Sequence, residues 1–245
     1  MKRELSMGVN AVAGLLEAQP ERIVRVWLNT SSKRLEHLER ELAAAGITIE
    51  HCDARALDRR AGGVRHQGVI AEFQPREPLT ESDLGDLLVR QPQPLLLVLD
   101  GVSDPHNLGA CLRSAAAAGA AAVIVPRDRA AGLTPVARRA SAGASERIPL
   151  VAVTNLARAL RMLGEHGLWR VGLAGEAETS LYQADLTGAV ALVLGSEERG
   201  LRRLTREHCD QLVRIPMPGA LESLNVSVAA GIALFETLRM RGGCG

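Results

Sequence analysis

Glu222-Ser223-Leu224-Asn225-Val226-Ser227-Val228-Ala229 sets two hydroxyls, an amide and a carboxylate ahead of, and into, an otherwise apolar C-terminal helical pattern. Ser and Asn are poor helix-interior residues, because their side chains compete for backbone hydrogen bonds. At a helix N-terminus they are at home, since unpaired N–H groups there need acceptors or face a ligand. A plain cap accounts for Ser223 or Asn225 and leaves the rest of the cluster unexplained. Two further polar clusters have the same form, each at the end of an apolar run: Asp104-Pro105-His106-Asn107-Leu108-Gly109 and Gly195-Ser196-Glu197-Glu198-Arg199-Gly200-Leu201. Three clusters of this kind read as one site at the carboxyl ends of strands, where open α/β sheets bind their ligands.

The surrounding pattern is βαβα. Residues 95–99 form a continuous apolar run of the buried parallel-strand kind, and 121–125, 150–153, 170–174, 189–194 and 212–215 read as further strands. Helical periodicity covers 107–118, 155–163 and 225–240, and Thr134-Pro135 is an N-cap followed by proline at the first helical position. Before this lies a smaller alternation of helix (10–17), strand (23–28), helix (33–45, stopped by Gly46), and strands at 47–49 and 64–73. Pro75, Pro78, Pro92 and Pro94 bracket a short helical pattern carrying Leu84, Leu87 and Leu88. Prolines at both ends mark a linker. The expected organisation is therefore an N-terminal α/β domain at 1–74, a linker at 75–94 and a mostly parallel-sheet α/β domain at 95–245.

With 245 residues the chain can bury a substantial core, and its formal net charge of +1 gives no basic tail to announce a nucleic acid. Lys2 and Lys33 are the only lysines; the remaining cations are arginines, which suit phosphates but which a GC-rich coding sequence would produce equally. Cys52, Cys111, Cys209 and Cys244 are scattered without metal-ligand spacing and read as reduced thiols of a cytoplasmic protein. No apolar segment follows the N-terminus in the manner of a signal peptide, and none is long enough to span a bilayer. Trp27, Phe73, Trp169, Tyr182 and Phe235 are the only aromatic residues of the Phe, Trp and Tyr kind. Binding of single-stranded RNA by base stacking needs more platforms than this, so any RNA contact must use shape, phosphates and backbone.

Several familiar chemistries are excluded. Gly195 and Gly200 have Walker A spacing, but Leu201 and Arg202 replace the required Lys and Ser/Thr. No G-x-G-x-x-G follows a strand, which argues against a dinucleotide site and against the usual Rossmann methyltransferase pocket. His66 and His106 have no nucleophile-elbow partner. Arg113, six residues after Asn107 on the same helix, reads in isolation as part of a solvated face.

Taken together, the three clusters resemble the signatures of the SpoU class of SPOUT methyltransferases: Asp104 to Gly109 with Arg113; Leu194-Gly195-Ser196-Glu197 with Gly200-Leu201; and Ile215-Pro216-Met217 followed by Glu222 to Ala229. Glu198 departs from the pattern, standing where the class more often has a small residue. Gly8-Val9-Asn10-Ala11-Val12, Arg22-Ile23 and Gly63-Val64-Arg65-His66-Gln67-Gly68-Val69 also look like the N-terminal, ribosomal-protein-like RNA-binding domain of the bacterial 23S rRNA guanosine-2′-O-methyltransferases.

The resemblance implies a trefoil-knotted C-terminal domain, a homodimer, S-adenosylmethionine as methyl donor without a metal, and no membrane. The implied acceptor is a ribose 2′-hydroxyl of a guanosine in 23S rRNA, in the peptidyl-transferase-centre loop region, on naked rRNA or on a large-subunit assembly intermediate. It implies that Gly195, Ile215 and Leu224 hold the adenosine part of the donor. Arg113, Asn107, Glu197, Ser223 and Asn225 are then the catalytic set. Arginine is too basic to serve as a free base, so Arg113 is expected to orient a phosphate with proton transfer coupled to it. A tRNA ribose methyltransferase of the same class and a non-catalytic RNA-binding assembly protein are the rival readings. The N-terminal half weighs against the first and the intact catalytic set against the second.

Overall fold

The computed structural model describes residues 3–29, 35–219 and 223–242; Lys2, Lys33, Glu222 and Cys244 lie outside them. The chain builds two sheets. The first contains β1 (Glu4–Met7), β2 (Ile23–Asn29), β3 (Ile49–Cys52) and β4 (Val69–Phe73) in the order β1-β4-β2-β3. Only β2 and β3 pair in parallel. Around it lie α1 (Val9–Ala18), α2 (Glu36–Ala44) and α3 (Ala54–Ala61). Their apolar sides bury Val12, Leu15, Leu38 and Leu42 on one face of the sheet and Leu57 with Trp27 on the other.

Two of these elements carry little apolar signal. β1 has no fully buried residue and exists because it pairs with β4, while α3 is arginine-rich and buries only Leu57 and Ala61. The strand expected at 64–73 begins only at Val69, because Gln67 (φ 52°) and Gly68 (φ 85°) turn the chain through the left-handed region. Gln67 is held there usefully: its Oε1 accepts the Val9 N–H at 3.0 Å and so caps α1, whose own N-cap is a glycine.

The second sheet is wholly parallel, in the order β10-β8-β9-β5-β6-β7. Its strands are β5 (Leu95–Asp100), β6 (Ala122–Pro126), β7 (Leu150–Val153), β8 (Trp169–Leu173), β9 (Val190–Gly195) and β10 (Gln211–Val213). β5, β6, β7 and β9 are apolar and mostly buried, as strands covered on both faces must be. One face is covered by α5 (Pro105–Ala117), α6 (Pro135–Ala140) and α10 (Val226–Met240), the other by α4 (Glu81–Arg90) and α8 (Leu156–Glu165). Short helices α7 (Ala144–Arg147) and α9 (Arg203–Glu207) complete the unit.

The segment expected as a linker does more than connect. Leu79 bridges to Val151 beside β7, Thr80 and Asp83 form a capping box for α4, and Leu84 and Leu88 are buried against the second sheet. The two sheets are also docked on each other. Arg138 of α6 lies between Glu4 (Nε to Oε2, 3.1 Å) and Glu146 and over the Phe73 ring, and Gln19 donates to the Glu146 carbonyl at 2.8 Å. α1 approaches the α6–α7 turn so closely that a Cβ on Gly143 would come within 2.8 Å of the Asn10 carbonyl oxygen.

β5 and β9 are neighbours in register, with Asp100 beside Gly195. The chain leaves β5 toward β6 and β7 and later returns to the opposite side, so strand order reverses at this pair. That is where a parallel sheet opens a crevice at its carboxyl edge.

Candidate active site

Each polar cluster starts where a strand ends. After β5 the chain turns at Gly101 (φ 82°), and Asp104 caps α5 by accepting the His106 N–H at 2.9 Å, with Pro105 at the first helical position. Asn107 follows, half-buried. Gly109 serves packing: a Cβ there would sit 2.4 Å from the Ala137 carbonyl oxygen, so α5 can lie against α6 only without one.

After β9 the chain makes a tight loop that folds back on itself, with Gly200 N–H donating to the Ser196 carbonyl at 2.8 Å. A Cβ on Gly195 would be 2.0 Å from the Gly200 carbonyl carbon, so this glycine is demanded by backbone against backbone. The loop is fastened to the end of β5 by Asp100. This aspartate is almost fully buried; its Oδ2 accepts the Arg202 N–H at 2.8 Å and its Oδ1 lies 3.5 Å from Arg202 Nε. The effect is to fix Glu197 at the mouth of the crevice.

The third cluster opens α10. Asn225 is its N-cap: Oδ1 accepts both the Ser227 N–H (2.9 Å) and the Ser227 hydroxyl (2.6 Å). Its amide is then free to point the other way. Nδ2 donates to Glu197 Oε1 at 2.7 Å and lies 3.0 Å from Asn107 Oδ1, while Asn107 Nδ2 donates to the same Glu197 oxygen at 2.8 Å. The Val226 N–H adds a further donor to that oxygen at 3.2 Å, placing a carboxylate at a helix N-terminus where the dipole favours it. One residue from each sequence cluster thus enters a single closed hydrogen-bonded triangle. Charge-assisted bonds of this kind are stronger than neutral ones and fix side chains that are themselves partly exposed.

Beside the triangle lies a cleft that is partly open to solvent. Leu173, Val213, Ile215 and Leu224 supply its apolar walls, and Gly195, Ser196, Glu197 and Ser223 its polar rim. The expected donor-holding residues Gly195, Ile215 and Leu224 therefore come together here, with Glu197 and Ser223. Met217, from the Ile215-Pro216-Met217 signature, also lines the cleft, as do Leu173 and Val213, whose local sequence does not separate them from ordinary core residues. An apolar slot with a polar end suits a nucleoside bearing a charged tail. A long wall of strand-end backbone also needs no aromatic partner. Among the described residues no group of three or more His, Cys, Asp or Glu side chains could hold a metal ion.

Arg113 is not in the triangle. It lies about 9 Å further along α5 than Asn107 and roughly 120° around it. It is exposed and makes no hydrogen bond or ion pair among the described residues. Ser223, also exposed, makes none either. Cys111, one turn beyond Asn107, is fully buried; burial, with the Glu197 charge adding, pushes its thiol up to about 12, which keeps it neutral and unreactive.

Residues 94–235 match the SpoU rRNA methylase family, and residues 6–79 match an RNA 2′-O ribose methyltransferase substrate-binding family. The chain is 55% identical over 237 residues to the 23S rRNA (guanosine-2′-O-)-methyltransferase RlmB of Pasteurella multocida, covering 96% of this chain and 97% of that one. It is 52% identical over 240 residues to the protein of the same name from Escherichia coli K12, covering 97% and 99%. Among solved structures, the SpoU methyltransferase AviRb from Streptomyces viridochromogenes in complex with the cofactor AdoMet superposes with a TM-score of 0.78 at 26% identity, over 98% of this chain and 91% of that one.

Proposed function

The chain belongs to the SpoU rRNA methylase family, and from that premise we propose that it transfers a methyl group from S-adenosylmethionine to the ribose 2′-hydroxyl of a guanosine in 23S rRNA. The observation that carries this reading is the meeting of Asn107, Glu197 and Asn225 on one carboxylate oxygen at the mouth of the apolar cleft. When bound, S-adenosylmethionine supplies a methyl group activated by a sulfonium centre.

The protein's part is placement. Gly195, Ile215 and Leu224 hold the adenosine end, with the apolar walls excluding water. The triangle holds Asn107 and Asn225 in fixed orientations toward the acceptor ribose, and Ser223 closes the rim. Bringing donor and hydroxyl into line supplies most of the acceleration. Arg113, permanently charged, orients the phosphate beside the reacting hydroxyl, whose proton passes to solvent as the methyl leaves sulfur for the ribose oxygen.

The reading extends to a homodimer. Val228 and Phe235 are half exposed on one face of α10, a helix that packs on α5, which carries Arg113. A second copy packed along α5 and α10 covers these side chains and sets Arg113 at the subunit boundary. It extends also to a trefoil knot in the 95–245 domain, to RNA binding by the 1–74 domain with 75–94 joining them, and to action in the cytoplasm. No helix among the described residues is long and apolar enough to cross a membrane.

The test is methylation by the purified protein of a 23S rRNA transcript and of large-subunit assembly particles, using labelled donor. A single 2′-O-methylguanosine in 23S rRNA is expected. Label in tRNA instead would move the enzyme to the tRNA branch of its class, and absence of donor binding would leave only an RNA-binding protein.

A further inference from the structure

Across Ser196 and Glu197 from the apolar cleft lies a second cavity, of about 950 Å³ and partly open to solvent, at the carboxyl ends of β5 and β9. Its acids are mostly engaged: Asp104 caps α5, Asp100 holds the Arg202 segment, and Glu197 receives the triangle's donors. Arg202 is drawn toward Asp100. Arg129 and Arg199, both exposed, also line the cavity and make no hydrogen bond or ion pair among the described residues.

Arg129 carries a second peculiarity. Among the described residues three that are not glycine have positive φ: Gln67, Arg129 and Ala142. Gln67 is accounted for by its cap on α1, and Ala142 by the end of α6, where its N–H returns to the Arg139 carbonyl. Arg129, at φ 59°, has no such account. It sits at the tip of a loop pinned on one side by Arg127 N–H to the Val153 carbonyl and on the other by Ala131 N–H to the Val102 carbonyl, each 2.8 Å. Glycine or asparagine would adopt this conformation more readily. The backbone therefore gives no reason for an arginine, and the cavity does.

We propose that this cavity receives the acceptor strand and that Arg129, aided by Arg199, binds an RNA phosphodiester flanking the target ribose. The proposal rests on the methyltransferase reading. A guanidinium fork matches phosphate oxygens in two parallel hydrogen bonds. The carboxylates on the same walls would repel a bare anion but can accept ribose hydroxyls or base N–H groups, so the mixed lining suits a nucleotide better than a free phosphate. Both cavities are lined by Ser196 and Glu197, so a ribose held in one stands next to a donor held in the other.

Arg129→Gly decides it, because glycine suits the backbone and removes only the side chain. The melting temperature is expected to equal or exceed that of the parent protein. Affinity for a 23S rRNA transcript should fall by about tenfold, the loss of one charged contact. The slope of log Kd against log salt should shrink by about one. Donor affinity by calorimetry should not change. Unaltered RNA affinity and salt slope would overturn the proposal, and so would an equal loss of donor affinity, which would assign the arginine to the donor's carboxylate. RNA binding is read here without turnover, so a parent protein that binds 23S rRNA but fails to methylate it refutes the proposed reaction and not the Arg129 contact.

Discussion

The amide of Asn225 and the carboxylate of Glu197 meet at 2.7 Å, and the same asparagine caps α10 with its other side-chain atom. One residue therefore fixes both where the last helix begins and how the Glu197 carboxylate is held. The two duties can be separated by mutation. Asn225→Asp keeps a good cap, since Asp and Asn are equivalent there, but sets a second carboxylate against Glu197. It is expected to lower single-turnover methyl transfer by at least about tenfold with the helix retained by circular dichroism. Asn225→Ala loses the cap as well, and thermal or urea unfolding should show an added cost of about 1 kcal/mol.

Ser223→Ala should behave differently. Ser223 is exposed and bonds to nothing among the described residues, so stability should change by less than about 0.5 kcal/mol. A fall in methyl transfer with an unchanged melt would place its hydroxyl on donor or acceptor; unchanged transfer would remove it from the site.

Glu197→Gln can keep a carbonyl oxygen where the Asn107 and Asn225 amides donate, and removes the negative charge. The expected result is a loss of turnover of about tenfold or more, with a stability loss of about 1 kcal/mol as charge-assisted bonds become neutral ones. Single-turnover rates and urea melts on one preparation check both numbers.

Arg113→Ala should abolish methyl transfer while leaving donor affinity and the melting temperature nearly intact, because the side chain touches neither the cleft nor a partner among the described residues. Lysine should not rescue it, since a point charge lacks the planar fork. Near-normal turnover in either variant removes Arg113 from the mechanism.

The Arg170–Asp210 pair gives a pH prediction. Burial, the largest influence on Asp210, pushes its carboxyl upward, but the Arg170 hydrogen bonds and charge outweigh it and hold it below the usual range. A carboxyl lowered on folding stabilises the protein above its unfolded value of about 3.9, and that contribution is lost as pH falls through the lower folded value. Asp210→Asn should thus be less stable than the parent at pH 6, and the gap should narrow steadily below about pH 4 in urea titrations.

Much of this molecule is legible in its sequence, for identifiable reasons. Buried parallel strands such as β5 and β9 show as unbroken apolar runs, and Thr134-Pro135 marks a helix start by its own chemistry, whereas Asp104-Pro105 reads alone as a turn and turns out to open α5. β1 and α3 do not show, because β1 is an edge strand made by its partner and α3 presents mostly charge. The polar clusters declare that a site exists but not its wiring. Cap duty falls to Asn225 rather than Ser223, and Gly109 and Gly195 answer to backbones far along the chain or across a loop, which no local spacing reveals. The segment at 75–94 has the prolines of a connector and also the leucines of a core helix. Leu84→Ala should cost about 2–5 kcal/mol, the price of a core truncation, in the same melts.

The position of β9 between β5 and β8 has a consequence for how the protein comes into being. β8 leaves the ribosome before β9, yet has no place beside β5 until β9 lies between them. Beyond β5, β6 and β7, which pair in chain order, the second sheet therefore cannot grow strand by strand as the chain is made. Asn107 then waits for Glu197, 90 positions later, and for Asn225, 118 positions later. Contacts so distant in sequence slow folding, since loops must close before any contact compensates. The apolar cleft, lined by residues from Leu173 to Ala229, is complete only after almost the whole chain has been synthesised.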